Sequence, residues 1–334
     1  MKTAWKTIKE VYRNKWPRFA VYYLEGVIEY LRRVNRIYFC SDVLKDFPMD
    51  IEIETIGACN ALCVMCPNSV IEGKSGASPQ LLDPQAYKKL IEEIASYKVK
   101  TLALFSQNEP LMDKRIVEFI GYAKEKCPIT KVSINTNAIL LSPGLSEQIL
   151  MSGLDHITFS IHGWSQETMK KVTGLDFNTV ISNVKYFIER RGATKNNIEV
   201  GLNCLRTVHF TKRDYNFAFE FSRRYRLPFA VLTPTNRAFN VPVGFYPHFS
   251  RKTRKFIRKC LMDNRPLTST SILSNGDVVA CCMDWKKEEV LGNIYKNSLY
   301  EIWHSDRYKA FRAKIYEGAE STNTFLCKRC SESV

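Results

Sequence analysis

The chain has 334 residues, of which 45% are hydrophobic, and it carries a formal net charge of +15. This length and apolar content predict one large domain with a smaller appended region. The eleven cysteines occur without a recognisable secretory signal, so we expect a reducing, cytoplasmic setting and metal chemistry instead of disulfides. No stretch approaches the roughly 18 apolar residues of a membrane-spanning helix.

Residues 1–48 are predicted to form a basic amphipathic helical arm. Within residues 1–38 there are nine Lys and Arg residues against three acidic residues, with aromatic and aliphatic side chains between them. Pro17 is expected to break the helix. Such an arm either packs against the rest of the chain with one solvated face, or contacts an anionic membrane surface or an acidic partner.

Strand-like and helical segments alternate between residues 51 and 235, which is the pattern of a parallel sheet built from βα units. The six predicted strands span residues 51–56, 101–106, 131–136, 156–161, 198–203 and 229–233. The predicted helices include residues 85–96, 114–127, 143–151, 178–191 and 212–225. We therefore expect a (βα)6 core over residues 49–240.

Four of these strands carry polar residues at every second position. A strand that is buried on both faces of an α/β sheet is nearly all apolar, so the alternation indicates that one face lines an open interior. The polar set consists of Glu52, Glu54, Ser133, Asn135, Asn137, His156, Thr158, Ser160, His162, Glu199 and Asn203. An interior lined in this way predicts a barrel that holds a polar ligand.

Cys59, Cys63 and Cys66 follow the first predicted strand with the spacing C-x3-C-x2-C. Three thiolates can bind three irons of a [4Fe-4S] cluster and leave the fourth iron open to a small ligand. A structural zinc site is the alternative, but it requires four closed ligands, and this loop supplies three cysteines with no nearby histidine. Unligated core cysteines usually occur singly.

The three cysteines and their position after a strand resemble the signature of the radical S-adenosylmethionine (radical SAM) superfamily. The resemblance implies a partial (βα)6 barrel in which SAM chelates the open iron and one electron cleaves it to a 5'-deoxyadenosyl radical. It also implies a reducing partner such as flavodoxin or ferredoxin. The radical would abstract hydrogen from a C–H of a polar substrate at the barrel mouth.

The same resemblance assigns residues to SAM binding. Met65 stands where the family presents backbone to the adenine, and the run from Ser106 to Pro110 stands in place of the family's Gly-Gly-Glu-Pro motif, without its two glycines. The residues assigned in this way are Met65, Gln107, Asn108, Glu109, Asn135, Asn137, Ser160 and His162. His162 is equally consistent with a solvated loop histidine or with a contact to substrate.

A second set of cysteines occupies the C-terminal region, residues 241–334. Its spacing resembles the auxiliary iron-sulfur domain called SPASM, or its shorter form, twitch, and an Asn-Gly turn precedes the adjacent pair Cys281–Cys282. The resemblance implies one auxiliary [4Fe-4S] cluster held by Cys260, one of the adjacent pair, Cys327 and Cys330. The sequence leaves open which of the pair is the ligand; we take Cys281 as the ligand and Cys282 as a spare thiol that could donate hydrogen. A zinc ribbon is the alternative for the four thiolates.

The expected enzyme is a radical SAM oxidoreductase or epimerase that acts on a sugar, aminocyclitol or nucleotide-sugar. In the epimerases that this region resembles, a spare thiol returns a hydrogen atom to the substrate radical, whereas the dehydrogenases pass an electron to the auxiliary cluster. The alternatives are a maturase of a ribosomally made peptide and a non-catalytic electron carrier. A nucleic-acid partner is not expected, because the basic run at residues 251–259 does not belong to a recognised nucleic-acid-binding fold.

Overall fold

The computed structural model describes residues 43–70, 79–232, 234–241 and 255–333. Almost all of the predicted arm of residues 1–48, with its proposed membrane or acidic-partner contact, lies outside the described residues. The same holds for residues 251–254 of the basic run.

Nine strands and ten α-helices are present in the described ranges. The strands are β1 (Asp50–Ile53), β2 (Thr101–Ala103), β3 (Lys131–Thr136), β4 (His156–Ser160), β5 (Glu199–Leu205), β6 (Phe229–Leu232), β7 (Ser269–Ile272), β8 (Asp277–Val279) and β9 (Val290–Asn293). The helices are α1 (Pro84–Ala95), α2 (Ile116–Lys126), α3 (Pro143–Met151), α4 (Gln166–Thr173), α5 (Phe177–Ala193), α6 (Lys212–Arg224), α7 (Arg265–Thr268), α8 (Leu299–His304), α9 (Asp306–Tyr316) and α10 (Leu326–Arg329). Each strand and helix predicted between residues 51 and 235 has its counterpart, and α4 is an additional helix between β4 and α5.

Local signals fix where the barrel helices begin. The side chain of Asp83 accepts a hydrogen bond from Ala86 N in front of α1, and the side chain of Ser142 accepts one from Leu145 N in front of α3. Thr211 and Asp214 form a reciprocal capping box at the start of α6. These side chains satisfy backbone N–H groups that the first helical turn leaves without a partner.

The strands form one sheet in the order β6-β5-β4-β3-β2-β1-β7-β8-β9. The six strands β1 to β6 are parallel, which confirms the predicted βα architecture. β7 pairs with β1 in parallel, and β8 and β9 continue the sheet in antiparallel fashion. The C-terminal region therefore extends the barrel sheet at its β1 edge, a pairing between residues 219 positions apart.

Side chains alternate across the barrel strands as predicted. Ile51, Ile53, Ile157 and Phe159 are fully buried against the surrounding helices. The intervening polar residues are mostly only partly buried on the inner face. Two residues of the set differ: Glu54 is buried, and Glu199 lies exposed at the amino end of β5, away from the strand ends that carry the loops described below.

The C-terminal helices are fastened by one arginine between two aromatic rings. The guanidinium of Arg312 lies 4.1 Å from the ring centroid of Trp303 and 3.9 Å from that of Tyr308. Its Nε donates to Pro266 O and one terminal nitrogen donates to Trp303 O. Stacking on two rings and two buried hydrogen bonds join α7, α8 and α9 into one packed unit behind β7.

Candidate active site

The cysteine loop, defined here as residues 58–68, follows β1 at the carboxyl end of the parallel strands. Backbone hydrogen bonds from Leu62 N to Thr173 O and from Val64 N to Val172 O tie it to the end of α4. The crevice outside the carboxyl ends of parallel strands is where open α/β sheets bind ligands. The loop therefore presents its thiols at the mouth of the barrel.

Cys59, Cys63 and Cys66 are partly buried and lie close to one another. Burial raises the pKa of the Cys59 thiol to about 12 and holds the pKa of Cys63 well above its ordinary value, and the nearby Cys66 thiol adds to both shifts. Negative charge is therefore unfavourable here in the protein alone. A bound iron-sulfur cluster would reverse this, because coordinated thiols lose their protons.

The donor set fits a cluster. Within the described ranges, no three His, Cys, Asp or Glu side chains converge closely enough to hold a single metal ion. A [4Fe-4S] cluster does not require that convergence, because each thiolate binds a different iron. Cys59, Cys63 and Cys66 would supply three of its ligands.

The loop that follows β2 is bonded directly to the cysteine loop. Glu109 N donates to Ala58 O at 2.9 Å, and the side-chain amide of Asn68 donates to Gln107 O at 2.9 Å. Both contacts involve backbone atoms of the β2 loop. The run in place of the family's glycine-rich motif therefore packs against the cysteines without the two glycines.

The carboxyl group of Glu109 is buried and accepts three hydrogen bonds from the protein. The donors are Thr136 Oγ1 at 2.6 Å, Asn137 N at 2.8 Å and Leu111 N at 3.1 Å. Burial raises its pKa to about 7, although these donors favour the charged form. Since a carboxylate offers about four acceptor positions, one remains for a further donor such as an ammonium group.

Gln107 makes a contact that the sequence did not predict. Its side-chain Nε2 donates to Cys282 O at 3.3 Å and to Asp284 O at 3.2 Å, and the residue is buried. The side chain thus joins the β2 loop to the segment that carries the adjacent cysteines. Its assignment to SAM binding stays a prediction.

Ser106, Asn108 and Asn203 provide the strongest test of whether a polar ligand fits. Ser106 N donates to Asn108 Oδ1 at 2.9 Å. However, Ser106 Oγ, Asn108 Nδ2 and Asn203 Oδ1 are buried and have no hydrogen-bond partner among the described residues. Buried polar atoms without partners are unfavourable. These three, at the ends of β2 and β5, fit a site that a polar ligand such as SAM completes.

The remaining residues assigned at the ends of β3 and β4 bond to one another and to the cysteine loop. Ser160 Oγ donates to Asn135 Oδ1 at 2.7 Å. Asn137 Nδ2 donates to Asn60 Oδ1 at 2.8 Å, and Asn137 Oδ1 accepts from Ile139 N. Asn137 therefore holds the cysteine loop, and the predicted SAM contacts of these residues stay predictions.

The two other assigned residues, Met65 and His162, have different surroundings. Met65 is buried with Val172 and Val241 in a small apolar cluster, as expected for a residue that offers only its backbone to a ligand. His162 Nδ1 accepts a hydrogen bond from Leu205 N at 3.3 Å. Burial lowers the pKa of His162 to about 4, and a nearby arginine adds to the effect, so the imidazole is neutral near pH 7.

The C-terminal cysteines gather from separate segments. Burial raises the pKa of Cys330 to about 12 and that of Cys327 well above its ordinary value, and the neighbouring Cys260 thiol contributes to both shifts. A backbone bridge between Cys260 and Ser333 closes this group. Three of the predicted auxiliary ligands are therefore neighbours, although more than 60 residues separate Cys260 from the other two.

Cys281 and Cys282 have different surroundings. Met283 N lies 3.5 Å from Cys281 Sγ, just as Glu332 N lies 3.4 Å from Cys330 Sγ. Such N–H contacts to sulfur, from two residues further along the chain, help to set the properties of cluster ligands. Cys282, however, is the member of the pair that lies within electrostatic reach of Cys330, and the assignment of Cys281 as the fourth ligand stays a prediction. A hydrogen bond with Cys281 and then burial raise the pKa of Cys282 well above its ordinary value.

Cys282 also lies near a charged pair that sequence analysis missed. The Arg265 guanidinium is 2.9 Å from Glu52 Oε1, and Ser271 Oγ donates to Glu52 Oε2 at 2.6 Å. Both Glu52 and Arg265 lie within electrostatic reach of the Cys282 thiol. The polar parity of β1 marked Glu52 as an inner residue, but nothing local in the sequence marked Arg265, which reaches β1 only through the β1–β7 pairing.

The family comparison agrees with this geometry. The radical SAM superfamily matches residues 53–203, and SPASM, an iron-sulfur cluster-binding domain, matches residues 260–331. The chain belongs to the radical SAM superfamily. The first match contains the cysteine loop and the β2 loop, and the second contains all five C-terminal cysteines. The resemblance noted from the sequence is confirmed.

Two relatives illustrate the breadth of this radical SAM superfamily. An S-adenosyl-L-methionine-dependent 2-deoxy-scyllo-inosamine dehydrogenase from Niallia circulans is 24% identical over 84% of this chain and 92% of that protein. A probable GTP 3',8-cyclase from Saccharolobus solfataricus is 30% identical, but the match covers only 42% of this chain and 44% of that protein.

Solved radical SAM structures share the fold. BtrN in complex with AdoMet and 2-DOIA aligns with 85% of this chain and 93% of its own, at 20% identity and a TM-score of 0.55. Streptococcus suis SuiB bound to the precursor peptide SuiA aligns with 86% of this chain and 70% of its own, at 15% identity and a TM-score of 0.66. These alignments confirm the predicted fold class.

Membership has direct consequences for the cofactors. This radical SAM enzyme uses SAM with a [4Fe-4S] cluster, and its SPASM domain carries auxiliary iron-sulfur chemistry, as expected from the sequence. Among the helices in the described ranges, none combines the length and the apolar character needed to cross a membrane.

Proposed function

We propose that this radical SAM enzyme oxidises or epimerises a carbinol carbon of a small polar substrate, namely a sugar, aminocyclitol or nucleotide-sugar. The observation that carries the proposal is the contact between the adjacent cysteines and the barrel interior. Gln107 donates to Cys282 O, and Cys282 lies within electrostatic reach of the inner residue Glu52. A substrate in the barrel would therefore lie near both cysteine sets.

The residues at the mouth have separate roles in this proposal. When bound, the cluster and SAM supply a 5'-deoxyadenosyl radical that takes a hydrogen atom from the substrate carbon. Cys59, Cys63 and Cys66 hold that cluster. The remaining acceptor position of Glu109 binds the SAM amino group, and the unpartnered atoms of Ser106 and Asn108 complete the polar site.

The auxiliary set decides the outcome for the substrate radical. Cys260, Cys281, Cys327 and Cys330 hold one auxiliary cluster. Held by these residues, the cluster would supply an acceptor for the one electron that a substrate radical gives up in oxidation, while the hydroxyl proton passes to solvent and a carbonyl group results. In epimerisation, Cys282 gives a hydrogen atom to the opposite face, and the resulting sulfur radical is restored by one electron and one proton. A reductant of the flavodoxin or ferredoxin type supplies that electron.

Two similarities bear on the choice of substrate. The similarity to an aminocyclitol dehydrogenase over 84% of this chain supports a carbinol substrate. The fold shared with SuiB, whose structure contains a precursor peptide, supports peptide maturation as a second candidate. The two candidates differ in product and are tested together with sugar and peptide substrates.

The reaction is tested in deuterated water with the anaerobically reconstituted enzyme. Epimerisation predicts one solvent deuterium on the inverted carbon, and Cys282→Ala should then stop product formation while 5'-deoxyadenosine still forms. Cys127→Ala, which removes a thiol buried against α1, is the matched control. A carbonyl product without deuterium, formed equally well by Cys282→Ala, identifies oxidation. A modified peptide identifies the maturase, and failure to cleave SAM would favour the electron carrier.

A further inference from the structure

Two arginines at the barrel mouth differ in how their charges are paired. Arg265 forms an ion pair with Glu52 at 2.9 Å and also donates to Ser271 Oγ. Arg237 instead places one terminal nitrogen 3.5 Å from Met283 Sδ, and its guanidinium has no carboxylate partner in the described part of the chain. A thioether sulfur is only a weak acceptor. Arg237 therefore retains most of its capacity to bind an anion.

The backbone that carries Arg237 adopts an unusual conformation. Arg237, Ala238 and Phe239 have φ angles of 46°, 52° and 63°, in the left-handed region that residues other than glycine seldom occupy. A run of three such residues persists only where its surroundings determine it. Such conformations cluster at functional sites.

Contacts from two directions hold this turn. Asn236 Oδ1 accepts from Ala238 N at 3.0 Å and from Ser331 N at 2.9 Å, and Asn236 Nδ2 donates to Arg329 O at 2.7 Å. Asn240 Nδ2 donates to Met283 O at 3.4 Å. The turn is thus fixed between the segment after the adjacent cysteines and the segment around Cys330. The fold, rather than any local preference of these residues, determines where Arg237 lies.

The imidazole beside Arg237 is uncharged. The guanidinium lies within electrostatic reach of His162, whose imidazole is uncharged because burial lowers its pKa to about 4. The hydrogen bond from Leu205 N to His162 Nδ1 holds the imidazole near the ends of β4 and β5. Asn203 Oδ1, on β5, is buried and has no partner among the described residues. Arg237 is thus a partly buried positive charge beside a neutral imidazole.

We propose that Arg237 binds an anionic group of the substrate, a carboxylate or a phosphate, at the mouth of the barrel. This inference rests on the proposed function and narrows it. Arginine presents a rigid fork of donors that matches both anions, and the interaction strengthens where water is scarce. An ammonium group would be repelled at the same place. Acidic sugars, sugar phosphates and nucleotide-sugars are therefore better substrates than aminocyclitols.

The carboxylate of SAM has the same chemistry, so the test separates the two sources. Equilibrium binding is measured anaerobically on the reconstituted enzyme, first for SAM and then for sugars with SAM present. The probes are glucuronate, glucose 6-phosphate and UDP-glucose, compared with glucose and glucosamine. We expect at least one anionic probe to bind more tightly than glucose, and glucosamine to bind least.

Substitutions at one position then test the contact. Arg237→Gln should lower the affinity for that anionic probe by about ten- to a hundredfold, the usual effect of losing a charge-assisted contact. Arg237→Lys should lower the affinity less. Arg237→Glu should reverse the preference toward glucosamine, which a folding defect would not do. Arg213→Gln removes the same charge from the exposed face of α6 and should change nothing.

Two outcomes would overturn the inference. If no anionic probe binds better than glucose, or if Arg237→Gln leaves the preference intact, Arg237 does not recognise a substrate anion. If Arg237→Gln lowers the affinity for SAM instead, Arg237 binds the cofactor and not the substrate. Failure of the proposed function itself is seen separately, as absence of 5'-deoxyadenosine in the unmodified enzyme.

Discussion

The two cysteine sets of this enzyme are assembled in different ways. Cys59, Cys63 and Cys66 come from eight consecutive residues, in a loop that hydrogen bonds to the β2 loop and to the end of α4 hold in place. The auxiliary thiols come from three segments between Cys260 and Cys330, and they meet only because β7 pairs with β1 and the C-terminal helices pack behind it. The cysteines of the first set are therefore close together in sequence, whereas those of the second set are brought together from distant segments by the tertiary fold.

The sets also differ in electrostatic surroundings. The barrel thiols lie near the carboxyl group of Glu109, whereas Arg265 lies within electrostatic reach of Cys281 and Cys282. Net charge around a cluster is one of the factors that set its reduction potential. The auxiliary set has charges of both signs nearby, because Glu52, which pairs with Arg265, also lies within electrostatic reach of Cys282.

The largest expected effect comes from removing the local set. Replacement of Cys59, Cys63 and Cys66 together by Ala should reduce the iron content from roughly eight to roughly four per chain and abolish 5'-deoxyadenosine formation. The measurement is iron analysis and product detection after anaerobic reconstitution. Unchanged iron content would exclude this loop as a cluster site, and Cys127→Ala serves as the control for loss of an unrelated thiol.

Removal of the long-range set should have a different effect. The double variant Cys327→Ala/Cys330→Ala should also retain roughly four irons, but it should still cleave SAM because the barrel set is intact. Substrate conversion should be lost. Zinc in place of iron at this set, found by elemental analysis of anaerobic protein, would contradict the auxiliary cluster. Loss of SAM cleavage together with the barrel irons would show that the two sites fold as one.

A smaller effect is expected at Glu109, which lies in the β2 loop beside the barrel cysteines. Glu109→Gln should weaken SAM binding by about ten- to a hundredfold, because an amide neither carries the charge nor accepts from both Leu111 N and Asn137 N. SAM affinity is measured with both clusters present. Thr136→Val is the matched control, since it removes one donor to the same carboxyl group and keeps the charge. Equal effects of the two variants would place the SAM amino group elsewhere.

The same contrast explains how much the sequence could predict. Spacing within one loop and alternation within one strand are local, so the barrel cysteines, the βα order and inner residues such as Asn135 and Ser160 were predicted. Arg265 and Arg237 were not, because each reaches the barrel mouth through pairings between distant segments. Gln107 was predicted as part of a motif, but its bond to Cys282 joins residues 175 positions apart.

The smallest expected effect is on how the stability of the protein depends on pH. His162, at the barrel mouth, has its pKa lowered from 6.5 to about 4, whereas an unfolded chain protonates this residue near pH 6.5. Between those values the unfolded state binds more protons, so stability falls as the pH is lowered from 6.5 toward 4. Because His162 is only partly buried, we expect at most about 1 kcal/mol per pH unit from this group.

His162→Gln cannot titrate and should lose stability less steeply over this range, as measured by anaerobic calorimetry of the unfolding transition. His209→Gln, which changes a histidine in the β5–α6 loop, should keep the steeper slope of the unmodified enzyme. Parallel slopes for His162→Gln and the unmodified enzyme would mean that the imidazole is hydrated in the folded state, and the neutral surroundings inferred for Arg237 would then be wrong.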